Sequence, residues 1–265
     1  MTMIIAQITD THLSDVNAAD PKFGARAENL RACIADINDL DPLPDAVIHT
    51  GDITQHGRAA EFAHARALLQ TLEAPLYVTP GNRDGRDGVV GAFAVDGYIM
   101  PDYAFVHYAI DEHPVRLVAV DSLGDGIGPK GDFCHDRLAA LDATLAEAPA
   151  RPTALFMHHP PFDVPAAPDP FAYQRRQAVV DLATVVSRHK QVIHIFAGHM
   201  HRPWTAMLGG VSASTVPSVA ADLRHGSYLP TMAKQPVYQI HRFDGDEGFV
   251  NEPRMPGFDA SCLRA

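Results

Sequence analysis

Five apolar runs in this chain each stop at a side chain that binds metal ions, and that pattern constrains the fold more than any other feature. Residues 3–9 run into Asp10-Thr11-His12. Residues 46–49 lead to Gly51-Asp52, 75–79 to Gly81-Asn82, 153–157 to His158, and 192–197 to Gly198-His199-Met200-His201. Runs so short and so apolar read as buried strands. Two segments of helical period separate the first three. Residues 29–40 set Leu30, Cys33, Ile34, Ile37 and Leu40 on one side, and 59–72 form the second. Strand alternating with helix is the rhythm of a layered α/β sheet. Such sheets gather ligands at the carboxyl ends of their strands, so segments distant in sequence are expected to meet at one point.

The residues that would meet are Asp10, His12, Asp52, Asn82, His158, His199 and His201. Their mixture of oxygen and nitrogen donors suits Zn, Mn or Fe better than Mg or Ca. Seven donors are too many for one such ion, whereas two ions sharing a carboxylate use them naturally. Two metals ~3.5–4 Å apart clamp the attacking and leaving oxygens of a phosphoryl displacement and lower the pKa of water between them. Each place alone says little, since Gly-Asp is a common turn pair and a lone Asp or His after a strand often caps or faces solvent. Their order and spacing together carry the reading.

The remaining expectations concern organisation. Strands are expected at 103–110 and 115–120, helices over 132–148 and 174–189, and short strands and turns from 204 to 250. The Pro- and Asp-rich stretch 161–173 reads as a surface loop that could cap a pocket. No repeat or linker divides the chain, so a single domain is expected over 1–250, with 251–265 a tail or an edge extension.

Composition narrows the partners. The net charge of −11, with no Lys/Arg-rich run, argues against long nucleic acid. A small anion is still compatible, because a bound metal cluster reverses the local field. Cys33, Cys134 and Cys262 are few and scattered, which fits a reducing compartment. The opening apolar stretch is too short for a secretory signal, and no run approaches the ~20 apolar residues of a membrane span. A cytoplasmic location and no membrane partner are therefore expected.

Taken in order, the blocks Asp10-Thr11-His12, Gly51-Asp52-Ile53-Thr54-Gln55-His56-Gly57, Gly81-Asn82-Arg83-Asp84, Met157-His158-His159-Pro160-Pro161 and Gly198-His199-Met200-His201 resemble the calcineurin-like metallophosphoesterase superfamily over residues 4–201. The resemblance implies an α/β, four-layer αββα sandwich: two mixed β-sheets flanked by helices. It implies two transition-metal ions, Mn, Fe or Zn. By position, Asp10, His12, Asp52 and His201 would hold one ion, and Asp52, Asn82, His158 and His199 the other, with Asp52 as the bridge. A metal-bound hydroxide would be the nucleophile. Among subfamilies the chain looks most like class III cyclic-nucleotide phosphodiesterases and glycerophosphodiesterases, and relatives suggest a homodimer.

One residue departs from the pattern. The superfamily usually has His after the Asn of the third block, where this chain has Arg83. Arginine cannot serve as a general acid, because its pKa lies above ~12. It can bind phosphate with two N–H groups and stabilise developing negative charge. Arg83 and Asp84 therefore join Asp52 and Asn82 as candidate catalytic residues, Asp84 as an orienter of Arg83 or of a ligand, or as a turn residue.

Other candidates for substrate contact are His56, His159 and His225. His56 either lines the pocket or sits on a surface loop, and His159 either touches substrate or supports its neighbours. His225, with Arg224, lies in a segment where relatives place substrate contacts. Trp204 either stacks on a base or packs in the core. The function expected is hydrolysis of a small phosphodiester, 3′,5′-cyclic nucleotide first and glycerophosphodiester second. The rivals are a phosphomonoesterase or promiscuous phosphatase, and a metal-binding scaffold whose turnover is weakened by Arg83.

Overall fold

The computed structural model describes residues 1–101, 104–125, 128–245 and 248–257. Its first sheet contains β1 (Met3–Ile8), β2 (Ala46–His49), β3 (Leu76–Val78), β10 (Tyr238–Phe243) and β11 (Phe249–Arg254), in the order β11-β10-β1-β2-β3. Its second contains β4 (Tyr108–Ile110), β5 (Arg116–Ala119), β6 (Thr153–Phe156), β7 (Val192–Ala197), β8 (Trp204–Leu208) and β9 (Val211–Thr215), in the order β4-β5-β6-β7-β9-β8. Both sheets are mixed. Consecutive neighbours run parallel in both: β1, β2 and β3 in one, and β5, β6, β7 and β9 in the other. Parallel strands end at the same edge, so Asp10, Asp52 and Asn82 leave one sheet together, and His158 and His199 leave the other.

Side-chain alternation explains the layering. On β6, Ala154 and Phe156 join the core shared with the first sheet, and Leu155 joins the core under the outer helices. On β7, Phe196 faces inward and Ile195 and Ala197 outward. That period of two is what a strand covered on both faces requires. The helices α1 (Pro21–Asn38), α2 (Ala59–Leu69) and α3 (Arg86–Phe93) cover the first sheet, and α4 (His135–Ala146) and α5 (Arg176–Arg188) cover the second. The result is the expected four-layer arrangement of two mixed sheets flanked by helices. None of the described helices is long and apolar enough to cross a membrane.

The differences from expectation have local causes. Helix α1 begins at Pro21, not at residue 29, because Asp20 caps it by accepting from Lys22 N and Pro21 fits the first turn. Its buried face runs Arg26, Ala27, Leu30, Cys33, Ile34 and Ile37. Helix α3 was not expected; it is short and holds two glycines, Gly88 and Gly91. The strand expected over 103–110 is described only as Tyr108–Ile110, and Tyr103 lies outside the described residues. Residues 249–254 form an edge strand paired antiparallel with β10. The stretch 161–173 is no open surface loop. Phe162, Val164, Ala172 and Tyr173 are buried in the second core, and Tyr173 Oη donates to His159 O at 2.9 Å.

Candidate metal centre

Beyond the strand ends, the first two loops remain knitted together. Asp10 N donates to Gly51 O and His12 N to Asp52 O, both at 3.0 Å, and Leu13 N donates to Ile53 O at 2.9 Å. Asp10, His12, Asp52, His199 and His201 all have left-handed backbone, with φ between 46° and 68°. Non-glycine residues rarely adopt it, though Asp and His tolerate it better than most. This backbone turns side chains two residues apart toward one centre. Two glycines make the close approach possible. A Cβ on Gly81 would lie 2.0 Å from Asp52 N, and one on Gly198 2.1 Å from Thr9 Oγ1.

The seven ligand-type side chains come together as two triads with Asp52 between them. In one, His201 Nε2 lies 3.2 Å from Asp10 Oδ1 and 3.3 Å from His12 Nε2. In the other, His158 Nε2 and His199 Nδ1 each lie 3.0 Å from Asn82 Oδ1 and 3.1 Å from each other. Asp52 turns Oδ2 to His12 Nε2 and Oδ1 to His158 Nε2, at 3.5 Å each.

The chemistry of these atoms fits bound cations. His158 Nδ1 donates to Thr50 O at 2.8 Å, and His201 Nδ1 to Leu223 O at 2.9 Å, which turns Nε2 of both rings into the cluster. Asp10 Oδ2 accepts from Thr9 Oγ1 and His199 N, whereas its buried Oδ1 has no hydrogen-bond donor. Acceptor atoms thus face acceptor atoms, an arrangement that positive charge stabilises and that buried groups otherwise avoid. Ligand atoms of Asp10, His12 and His201, and of Asp10, Asp52 and His158, lie close enough to hold an ion.

Electrostatics agree. Burial holds His12, His158 and His199 below the usual histidine range, in the neutral form that binds metal. Burial also lowers His201, but the Asp10 carboxylate outweighs it and the net shift is upward. Burial would raise Asp10, yet His201, whose own shift is upward, carries its carboxyl far below the usual range. Burial and then the Asp10 charge push Asp52 well up. Both carboxylates therefore draw positive charge into the cluster.

The neighbouring candidates separate. Arg83 is exposed, and its backbone N donates to Asp52 Oδ1 at 2.8 Å. Its guanidinium has no hydrogen bond or ion pair among the described residues. Asp84 does not touch Arg83 through its carboxylate. Instead it accepts from Ile53 N, Thr54 N, Thr54 Oγ1 and Gly81 N, clasping the two loops that carry Asp52 and Asn82. Burial raises its carboxyl to about 6, against those hydrogen bonds. A cavity of about 490 Å³ opens beside Asn82, bordered by Gly57, Gly85, Gly124 and Lys130.

His159 is fully buried. Its Nε2 donates to Pro129 O at 2.8 Å and its Nδ1 accepts from Ser122 Oγ at 2.9 Å, so neither nitrogen is left for substrate. His56 is held by Glu61 at 2.8 Å. Arg224 is committed to the carbonyls of Met232 and Ala233 and lies over the Tyr228 ring, not toward a phosphate. Trp204 packs against the second core and borders a different cavity, with Pro203, Val216 and His241. His225 stays near the centre, its ring 5.5 Å from that of His201.

Sequence reasoning missed the residues that support the candidate ligands: Thr9, Arg26 and Asp222. None adjoins a strand end in a recognisable block except Thr9, whose hydroxyl looks like one more polar residue before Asp10.

Comparison with known proteins gives a consistent picture. Residues 3–203 match the family model described as Calcineurin-like phosphoesterase. The chain is 30% identical over 260 residues to a probable glycerophosphodiester phosphodiesterase GpdQ of Arcobacter nitrofigilis, covering 96% of this chain and 94% of that one. It is 31% identical over 261 residues to a probable cyclic nucleotide phosphodiesterase of Rhodopseudomonas palustris, covering 92% and 90%. Among solved structures, a dimetal phosphatase from Danio rerio shares the fold, with a TM-score of 0.71 at 16% identity over 96% of this chain and 99% of that one.

Proposed function

The chain belongs to the calcineurin-like phosphoesterase family, and on that premise we propose that it hydrolyses small phosphodiesters at a dinuclear metal centre. The observation that carries this reading is Asp52, which turns one carboxylate oxygen to each triad. Asp10, His12 and His201 would hold one ion and Asn82, His158 and His199 the other, with Asp52 shared. When bound, two ions of the Mn, Fe or Zn type would activate water at neutral pH and offset negative charge on the phosphoryl group.

The chain's own residues do the rest. Asp84 fixes the backbone of both loops that meet at Asp52 and Asn82. Arg83, carried on the same loop as Asn82, binds phosphoryl oxygens and stays protonated throughout. Because it cannot release a proton, solvent protonates the leaving oxygen, and substrates with good leaving groups react fastest.

The names of the relatives support two substrate classes, glycerophosphodiesters and 3′,5′-cyclic nucleotides. The test is hydrolysis by protein reloaded with Mn or Zn, with Asp52→Asn as control. Bis-p-nitrophenyl phosphate should be cleaved faster than p-nitrophenyl phosphate, and one of the two natural classes should be turned over. Faster monoester cleavage would replace this reading with a phosphatase. A wild-type rate no higher than that of Asp52→Asn would replace it with a metal-stabilised scaffold.

A further inference from the structure

The segment 218–225 follows β9 and contributes no member of either triad. Even so, it grips one of them. Ser218 Oγ donates to Asp10 O at 2.7 Å. Leu223 O accepts from His201 Nδ1, and His225 N donates to His201 O, both at 2.9 Å, so His201 is held from the ring and from the backbone. Between these contacts lies Asp222, in a 3-10 turn at Ala221–Leu223.

Asp222 is fixed by Arg26 of α1. Arg26 Nε donates to Asp222 Oδ1 at 3.0 Å and Nη2 to Oδ2 at 2.7 Å. The remaining amino group, Nη1, donates to Gln55 Oε1 at 2.7 Å and to His12 O at 3.4 Å. The Arg26 side chain is 4% exposed, and that of Asp222 is 40% exposed. One buried guanidinium thus joins the helix, the loop carrying His12, the loop after Asp52, and the turn that holds His201. A planar fork can do this; an ammonium of similar length cannot reach four acceptors on three segments.

The other triad is supported differently. His158 donates to Thr50 O, and His199 N donates to Asp10 Oδ2. Among the described residues, no hydrogen bond of Asn82, His158 or His199 involves Arg26 or 218–225.

Resting on the dinuclear reading, we infer that Arg26 and Asp222 form a positioning brace for the ion held by Asp10, His12 and His201, and not for its neighbour. Groups that orient a ligand without touching the ion typically set affinity by 10–100-fold. The brace should therefore separate the affinities of the two positions.

The test is a Mn²⁺ titration of the metal-stripped full-length chain, followed by calorimetry and by electron paramagnetic resonance, with circular dichroism to verify folding. Wild type should take up two ions and give a spin-coupled spectrum. Asp222→Ala should lose affinity by about 10–100-fold at one position only, so that an isolated Mn²⁺ spectrum persists where wild type is already coupled. Asp222→Asn, which keeps an acceptor for Arg26, should recover part of the loss, while Arg26→Lys should not. Should Arg26 variants fail to fold, the half-exposed Asp222 carries the test alone. Equal weakening at both positions, or unchanged uptake with a lower melting temperature, would overturn the brace and leave it a fold staple. A wild type that binds fewer than two ions would overturn the dinuclear reading itself, and the brace with it.

Discussion

At Asp52, what suits a metal pair works against the metal-free chain. Its carboxylate is buried next to that of Asp10, and its backbone is left-handed at φ 52°. Asparagine is nearly isosteric, tolerates that backbone, keeps an oxygen for Arg83 N, and removes one buried charge. Asp52→Asn should therefore raise the stability of metal-stripped protein by about 0.5–2 kcal/mol while abolishing paired metal uptake; urea unfolding in excess chelator checks the first half, and a less stable variant would sink the argument. Arg83 makes a second prediction at this scale. Arg83→His restores a group able to lose a proton, so it should speed alkyl diesters with poor leaving groups relative to bis-p-nitrophenyl phosphate. A loss of rate on both would give Arg83 a role that histidine cannot fill. All seven candidate ligands were legible in the sequence because each sits where an apolar run stops. Asp84 was legible as a position but not as a clasp, since its partners are backbone groups of another loop. Arg26 and Asp222 were illegible, because nothing in a sequence signals that a helix residue and a turn residue 196 positions apart will meet.

The elements bring those residues together through two loops packed without room for a methyl group. At Gly198, an added Cβ would meet Thr9 Oγ1 at 2.1 Å and Asp10 Oδ2 and Thr50 O at 2.9 Å. Gly198→Ala should destabilise the chain by about 2–4 kcal/mol. Adding Thr9→Ala removes the nearest clash but not the other two, so the double variant should recover part of that loss. Additive losses, measured by urea unfolding, would show that the two strand ends do not press on each other here. The elements were legible in proportion to how completely they are buried. Strands β1, β2, β6 and β7 show continuous apolar runs because both faces are covered. Helix α3 was hidden by its length and its glycines. Strand β11 was hidden by an exposed edge sequence containing Asn251, Glu252 and Pro253, which carries no apolar alternation.

Across the whole molecule, buried histidines outside the candidate metal centre tie strands together, and one of them, His241, helps to join the two sheets. His241 on β10 donates from Nε2 to Gln7 Oε1 at 2.9 Å. The Gln7 amide in turn donates to Thr50 Oγ1 and to Ala197 O at the end of β7, at 3.0 Å each. His194 on β7 pairs with Ser214 on β9 at 2.9 Å. The His241 ring lies 4.3 Å from that of Phe196, between the sheets. Burial pushes His241 down to about 4 and His194 to about 3. Both are neutral in the folded chain, whereas in the unfolded chain each binds a proton near 6.5. Their contribution to stability is therefore complete above pH 6.5 and is lost as pH falls toward 4 and then 3. Each adds a slope of at most roughly 1.4 kcal/mol per pH unit within its window. His241→Gln keeps a donor for Gln7 and removes the titrating ring, so its stability should fall by about one proton's slope less than wild type between pH 6.5 and about 4. Urea midpoints measured across that range in excess chelator, which takes metal release out of both curves, decide the matter. Parallel curves would mean that the acid sensitivity of the fold lies elsewhere than in the seam between the sheets.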